Sequence, residues 1–197
     1  KLEDYPKYIQ GGDIVSFDIY PVVHDEPQIA GHLEYVPKGV TRLREWSGDK
    51  KIIWNCIETT RIGNLTTKPT PDQVKSEVWM SLIHGSRGII YFAHEFKPKF
   101  IEAGLLADPD MAKGISQINA QIKSLAPALN APAEPASAVT VTSANKETPI
   151  ALTARKQGQN LYIFAVAMRN ADTQASFTIP NLNQDTKVEV LGESRDL

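Results

Sequence analysis

The segment KIIWNCIETT, Lys51 to Thr60, is a run of apolar residues and β-formers that ends on a carboxylate, Glu58, followed by two threonines. Two other segments have the same character: DIVSFDIYPV (Asp13 to Val22) and GIIYFAHEF (Gly88 to Phe96). Each is followed by a stretch with apolar residues at helical spacing. Short apolar strands that alternate with helices predict βα units and a parallel sheet whose strands are buried on both faces. The expected fold class is therefore α/β.

The helices predicted after these three strands lie within residues 36–48, 70–86 and 108–129. The second is predicted to begin with Thr70 as its N-cap, a proline in the first turn and Gln73 completing a capping box. The third is predicted to end at Pro127, because proline has no N–H for the helical hydrogen bond.

A different pattern begins after residue 130. The segment APAEPAS, residues 131–137, is typical of a linker between domains. Five strand-like segments follow within residues 138–197: VTVTS, PIALTAR, NLYIFAVAM, ASFTI and KVEVL. Such short strands predict a small antiparallel β-sandwich, with the aromatic residues of these strands in its core, and both ends of the chain are expected to be cut. The expected domains are residues 1–130 and 138–197.

Composition excludes several classes of function. A net charge of -2 with no basic cluster argues against a nucleic-acid partner. No apolar run approaches the roughly 18 residues that a membrane-spanning helix needs. No cysteine and histidine spacing suits zinc, and no glycine-rich loop suits a phosphate. Neither a metal nor a cofactor is predicted.

Polar residues at the strand ends are the candidate site. In a barrel of βα units, alternate strand residues face the interior and the outer helices. By this alternation Asp18 and Tyr20 of the first strand, and Trp54 and Glu58 of the second, face inward. Glu58 is then the last inward residue at the C-terminal end of its strand, where barrel enzymes place their chemistry.

The third strand and some of these residues allow two interpretations. Either Phe92 and His94 face inward, or Glu95 and its alternate neighbours do. His94 could equally be a core histidine bonded to a carbonyl, and Trp54 could stack on a sugar ring or fill the barrel core. A strand-end carboxylate often only begins a solvated loop, but three consecutive strands that end in polar residues favour a site.

The order of motifs is also informative. A strand ending Asp-x-Tyr-Pro, a strand ending Glu-Thr, the sequence Pro-Thr-Pro-x-Gln, a helix and then His-Gly-Ser-Arg-Gly-Ile-x-Tyr-Phe together resemble the C-terminal part of clan A glycoside hydrolases. These are retaining (β/α)8-barrel enzymes, with β-galactosidase-like and cellulase-like members. The resemblance covers about residues 10–130, and the tail looks like the small β-sandwich that often follows the barrel in such bacterial enzymes.

The resemblance implies that the chain holds the last three βα units of a partial TIM barrel, with Glu58 as the nucleophile. Asp18, Tyr20, Trp54, His94 and Glu95 become the candidate substrate-binding residues. The implied substrate is a β-linked poly- or oligosaccharide, and the implied location is extracellular or periplasmic.

One part of the family pattern is missing. The acid/base glutamate of the clan comes from the fourth barrel strand, which this chain does not contain. We therefore expect a fragment whose partner is the N-terminal remainder of the barrel, and no turnover by the isolated chain. The alternative is a non-catalytic carbohydrate-binding or scaffolding protein derived from the barrel. An aldolase or a phosphate-sugar isomerase is disfavoured, because there is no strand-end lysine and no phosphate-binding loop.

Overall fold

A parallel sheet forms the centre of the molecule. The structure, a computed structural model, describes residues 2–180, 182, 186–193 and 195–197. The sheet has the order β1-β2-β3, with β1 at Ile14–Asp18, β2 at Ile52–Glu58 and β3 at Gly88–Phe92. Both pairings are parallel, so the mixed α/β class predicted from the sequence is confirmed. The three strands form an open sheet and not a closed barrel.

The helices follow the strands as the sequence predicts. A short α1 (Tyr5–Tyr8) precedes the sheet, and the long helices are α2 (Tyr35–Ser47), α3 (Pro71–Ile83) and α4 (Pro109–Leu129). The capping box of α3 is present, because Thr70 accepts from the N–H of Gln73 and the Gln73 side chain accepts from the N–H of Thr70. The predicted stop at Pro127 is wrong, since α4 runs on to Leu129. Pro127 lies in the last turn, where the missing N–H removes a single helical hydrogen bond.

The helices cover one face of the sheet and leave the other open. On the covered face Ile53 and Ile57 are buried against α2, α3 and α4. On the other face four apolar side chains are between 36% and 47% exposed: Ile14, Ile52, Trp54 and Ile90. The expectation that these strands are buried on both faces is therefore wrong. We call this exposed surface of the sheet the open face.

The tail consists of short antiparallel strands. They are β4 (Thr140–Ser143), β5 (Ile150–Gln157), β6 (Asn160–Ala167), β7 (Ala175–Thr178), β8 (Glu189–Val190) and β9 (Arg195–Asp196). They pair as β4 with β7, β5 with β6, and β8 with β9, so the described residues form three separate two-stranded sheets.

The β5–β6 hairpin is docked on the helices. Phe164 of β6 is buried and stacks on Trp79 of α3, with ring centroids 5.7 Å apart. Phe177 of β7, in contrast, is 43% exposed, so the tail aromatics do not all lie in a core. The segment 131–137 is tied to β5, because Ala133 forms a β-bridge with Arg155.

Candidate functional site

The C-terminal edge of the parallel sheet gathers most of the predicted site residues. The register places Asp18 of β1 beside Cys56 of β2, and Glu58 of β2 beside Phe92 of β3. Tyr20 and His94 follow the ends of β1 and β3. Parallel strands end at the same edge, so the alternating βα order alone brings these groups together.

Glu58 is anchored at this edge by main-chain donors. The N–H of Val22 donates to Glu58 Oε1 at 2.6 Å, and the N–H of Val23 donates to Oε2 at 2.9 Å. The carboxyl group has no solvent exposure. Burial raises its pKa to about 7, although the two N–H donors act in the opposite direction by stabilising the charged form.

A second buried carboxyl, that of Glu77 on α3, lies beside Glu58. The two side chains are within hydrogen-bonding contact, and Glu77 is also 0% exposed. Neither oxygen of the Glu77 carboxyl has a hydrogen-bond donor among the described residues. Burial, and next the charge of Glu58, raise the pKa of Glu77 well above its ordinary value.

Sequence reasoning missed Glu77, although a signal was present. Glu77 occupies the same face of α3 as Val74, Val78 and Ser81, all of which are buried. A glutamate in the apolar stripe of a helix is unusual, because buried charge is costly without a partner.

The structure does not place the Glu58 carboxyl on the open face. Strand alternation predicts that Glu58 shares the direction of Trp54 and Cys56. Its carboxyl instead contacts Glu77 on α3, the helix that covers the Ile57 side of the sheet. Glu58 is the last residue of β2, so the direction of its long side chain is not fixed by the pleat that orients side chains inside the strand.

Asp18 and Tyr20 lie together on the open face, and Trp54 shares that face. The Trp54 ring lies against Gly88 of the next strand, where an added Cβ would come within 2.5 Å of the indole. Tyr20 contacts Cys56 and Asp18. Burial, and then these two neighbours, raise the pKa of Tyr20, so its hydroxyl stays protonated and can donate a hydrogen bond. Burial likewise raises the pKa of the Cys56 thiol.

The ambiguity of the third strand is resolved by its ring contacts. Phe92 lies 5.4 Å from Tyr20 and 5.8 Å from His94, measured between ring centroids, so Phe92 and His94 belong to the open face. His94 Nδ1–H donates to the main-chain oxygen of Glu102 at 2.6 Å, which fixes the ring. The same aromatic group extends to the exposed side chains of Phe96 and Phe100.

Glu95 points elsewhere. It forms an ion pair with Arg61 at 3.4 Å and lines a cavity of about 400 Å³ together with Lys68 and Asp108. Lys68 and Asp108 are paired as well, so each cation of this cavity already has a carboxylate. The structure therefore separates Glu95 from the other predicted substrate-binding residues.

The fold and site define a mixed α/β protein with a polar and aromatic surface at the C-terminal edge of a parallel sheet. The chain matches no protein-family model, no curated protein and no solved structure. In the described part of the chain, no cluster of three or more histidine, cysteine, aspartate or glutamate side chains could hold a metal ion. None of the described helices is long and apolar enough to cross a membrane.

Proposed function

We propose that this chain is the nucleophile-bearing part of a retaining glycoside hydrolase that acts on β-linked sugars outside the cytoplasm. The observation that carries the proposal is the placement of Glu58 at the C-terminal end of the central parallel strand. There, two consecutive main-chain N–H groups hold one oxygen each of its carboxyl. The chain's resemblance to the last three βα units of a clan A barrel supports the same role.

The open face supplies groups suited to a carbohydrate. Trp54 and Phe92 offer ring faces for the C–H surface of a pyranose, as aromatic residues do in many apolar binding sites. Asp18 and the protonated hydroxyl of Tyr20 can accept from and donate to sugar hydroxyls. His94 adds a ring that its bond to the main chain already holds in place.

A further polypeptide is needed to complete the site. The exposed isoleucines Ile14, Ile52 and Ile90 form a patch of the kind that marks an interaction surface. We propose that the N-terminal remainder of the same barrel covers it. Of the described carboxyls, Glu77 is the one in contact with Glu58, and it is enclosed, so the covering polypeptide would also bring the general acid.

The proposed reaction then has two steps. Glu58 attacks the anomeric carbon, while an acid on the covering polypeptide, about 5–5.5 Å from it, protonates the leaving oxygen. In the second step the same acid, now in its ionised form, activates a water molecule, and this water hydrolyses the glycosyl–Glu58 ester. Both steps require that one Glu58 oxygen be released from Val22 or Val23.

That requirement favours a second candidate function. A carboxyl that is fully enclosed and bonded on both oxygens cannot attack a substrate where it stands. A carbohydrate-binding or scaffolding protein would use the aromatic open face without Glu58. In that case Glu58 would be purely structural.

The test uses the protein purified with any polypeptide that accompanies it. A 2-fluoro glycoside inactivator is expected to label the peptide that contains Glu58, and Glu58→Gln is expected to abolish hydrolysis while sugar binding persists. Glu45→Gln, an exposed glutamate on α2, is the matched control and should hydrolyse normally. Hydrolysis by the Glu58→Gln variant, or a label on another carboxyl, would refute the role of Glu58. Sugar binding without any turnover, lost in Trp54→Ala, would establish the second candidate.

A further inference from the structure

The Glu58–Glu77 pair cannot hold two negative charges in its present surroundings. Both carboxyls are 0% exposed, and like charges that share a buried site disfavour ionisation of one another. The two main-chain donors at this site serve Glu58, while the oxygens of Glu77 have no donor. A proton on Glu77 would supply the missing donor, because a protonated carboxyl can donate to the neighbouring carboxylate.

Among the described residues, no further charged group acts on the pair. Of the titratable groups that the structure describes, Glu58 acts on Glu77 and Glu77 acts on Glu58. A buried apolar cluster surrounds Ile57 and the apolar stripe of α3. It is made of side chains from α2, β2, α3, α4 and the segment before α4: Val36, Ile57, Val74, Val78, Leu105, Met111, Ile115 and Ile118. In this part of the described chain a shared proton is therefore the available means of neutralisation.

We propose that Glu58 and Glu77 share one proton, and that Glu77 thereby positions Glu58 and keeps the Pro21–Val23 segment closed over it. The shared proton lets the pair carry one charge, which the N–H groups of Val22 and Val23 stabilise. Glu77 is a positioning residue, since it is enclosed and reaches a substrate only through Glu58.

Loss of the shared proton opens the segment. Two adjacent carboxylates repel each other and need water, and the loop held by Glu58 itself is the part of their cover expected to move. The Pro21–Val23 segment follows the end of β1 and lies outside regular secondary structure. Opening frees the oxygens of Glu58. This consequence for catalysis rests on the proposed function, whereas the proton sharing does not.

Amide hydrogen exchange at Val22 and Val23 tests the inference on the full chain. Exchange is followed by NMR between pH 5.5 and 8.5 and corrected for the intrinsic pH dependence of exchange. In the native sequence the protection of both amides is expected to fall with rising pH, by up to about tenfold per pH unit, because opening releases one proton. In Glu77→Gln the amide of Gln is a permanent donor, so protection should not change with pH. Glu45→Gln should behave like the native sequence.

The same pH dependence in the native chain and in Glu77→Gln would overturn the proposal. If Glu77→Gln does not fold, the carboxyl ¹³C shifts of the native protein decide. Proton sharing predicts two separated titration steps for the pair, at least one near or above neutral pH. Two independent steps near the ordinary glutamate pKa would overturn it. Turnover and inactivator labelling of the protein with its accompanying polypeptide test the proposed function separately. A shared proton without turnover by that complex refutes the hydrolase alone, and turnover without a shared proton refutes this inference alone.

Discussion

Replacing Glu77 by glutamine should flatten the pH dependence of unfolding. In the native chain the buried pair retains a proton that the unfolded chain releases, because burial raises the pKa of both carboxyls. The pair contributes fully to the unfolding free energy below the ordinary glutamate pKa of about 4.5. That contribution is lost progressively as the pH rises toward the folded value.

The raised pKa of Glu58 sets the size of this loss in unfolding free energy. A carboxyl pKa raised from 4.5 to about 7 corresponds to about 3 kcal/mol, since one pKa unit is about 1.4 kcal/mol. Domains of ordinary stability unfold with about 5–15 kcal/mol, so the effect is a large fraction of the total. Glutamine at position 77 cannot ionise and can donate to the Glu58 carboxylate, so the variant has no shared proton to lose.

Urea unfolding followed by tryptophan fluorescence at pH 5, 6, 7 and 8 measures the effect. The unfolding free energy of the native chain minus that of Glu77→Gln should fall by about 2 kcal/mol between pH 5 and pH 7, because part of the total loss lies outside this range. Comparing the slopes of unfolding free energy against pH removes any constant difference in stability between the two proteins. Glu45→Gln should keep the native slope. A difference that stays flat, or rises with pH, would show that the pair does not hold a proton in the native state.

Three further substitutions probe how the site is supported. Trp79→Ala removes the ring that stacks on Phe164 and should cost about 3–5 kcal/mol, with faster proteolytic release of the tail; an unchanged cleavage rate would contradict the docking. Gly88→Ala places a Cβ 2.5 Å from the Trp54 indole and should cost about 1–3 kcal/mol with a shift in tryptophan emission. An unaltered spectrum would show that Trp54 does not lie over Gly88. Thr70→Ala removes the capping box and should cost about 1 kcal/mol in urea unfolding, and no loss would mean that the cap does not stabilise α3.

The elements of the fold could be predicted because their signals are local. The apolar run of β2 and the capping box of α3 each lie within a few residues of sequence, and the structure has both. The parallel pairing follows from the alternation of strands and helices. The predicted stop at Pro127 failed for a local reason, because a proline in a last turn costs a helix little. The exposure of the open face could not be predicted, since it depends on how many strands complete the sheet.

The environment of Glu58 depends on residues distant in sequence. Its donors, Val22 and Val23, are 36 and 35 residues away, and neither has a side chain that could suggest a hydrogen bond. Strand alternation correctly predicted that Glu58 lies at the edge of the sheet. It did not predict the direction of the carboxyl group, because Glu58 is the last residue of β2 and its side chain does not follow the alternation of the strand.

Glu58 and Glu77 are both acidic residues at positions where an apolar residue is expected, and the proposed proton sharing accounts for both. Glu58 ends the strand that buries Ile53 and Ile57, and Glu77 interrupts the apolar stripe of the helix that packs on their side. Glu77 alone would be a buried charge without a donor, which proteins avoid, and the main-chain donors of Glu58 suffice for one charge only. Together they can hold one charge and one proton, and the loop after β1 supplies the donors for the charge. In this chain the sequence pattern behind the proposed proton-sharing pair is a strand-end carboxylate followed by a helix with an acid in its apolar stripe.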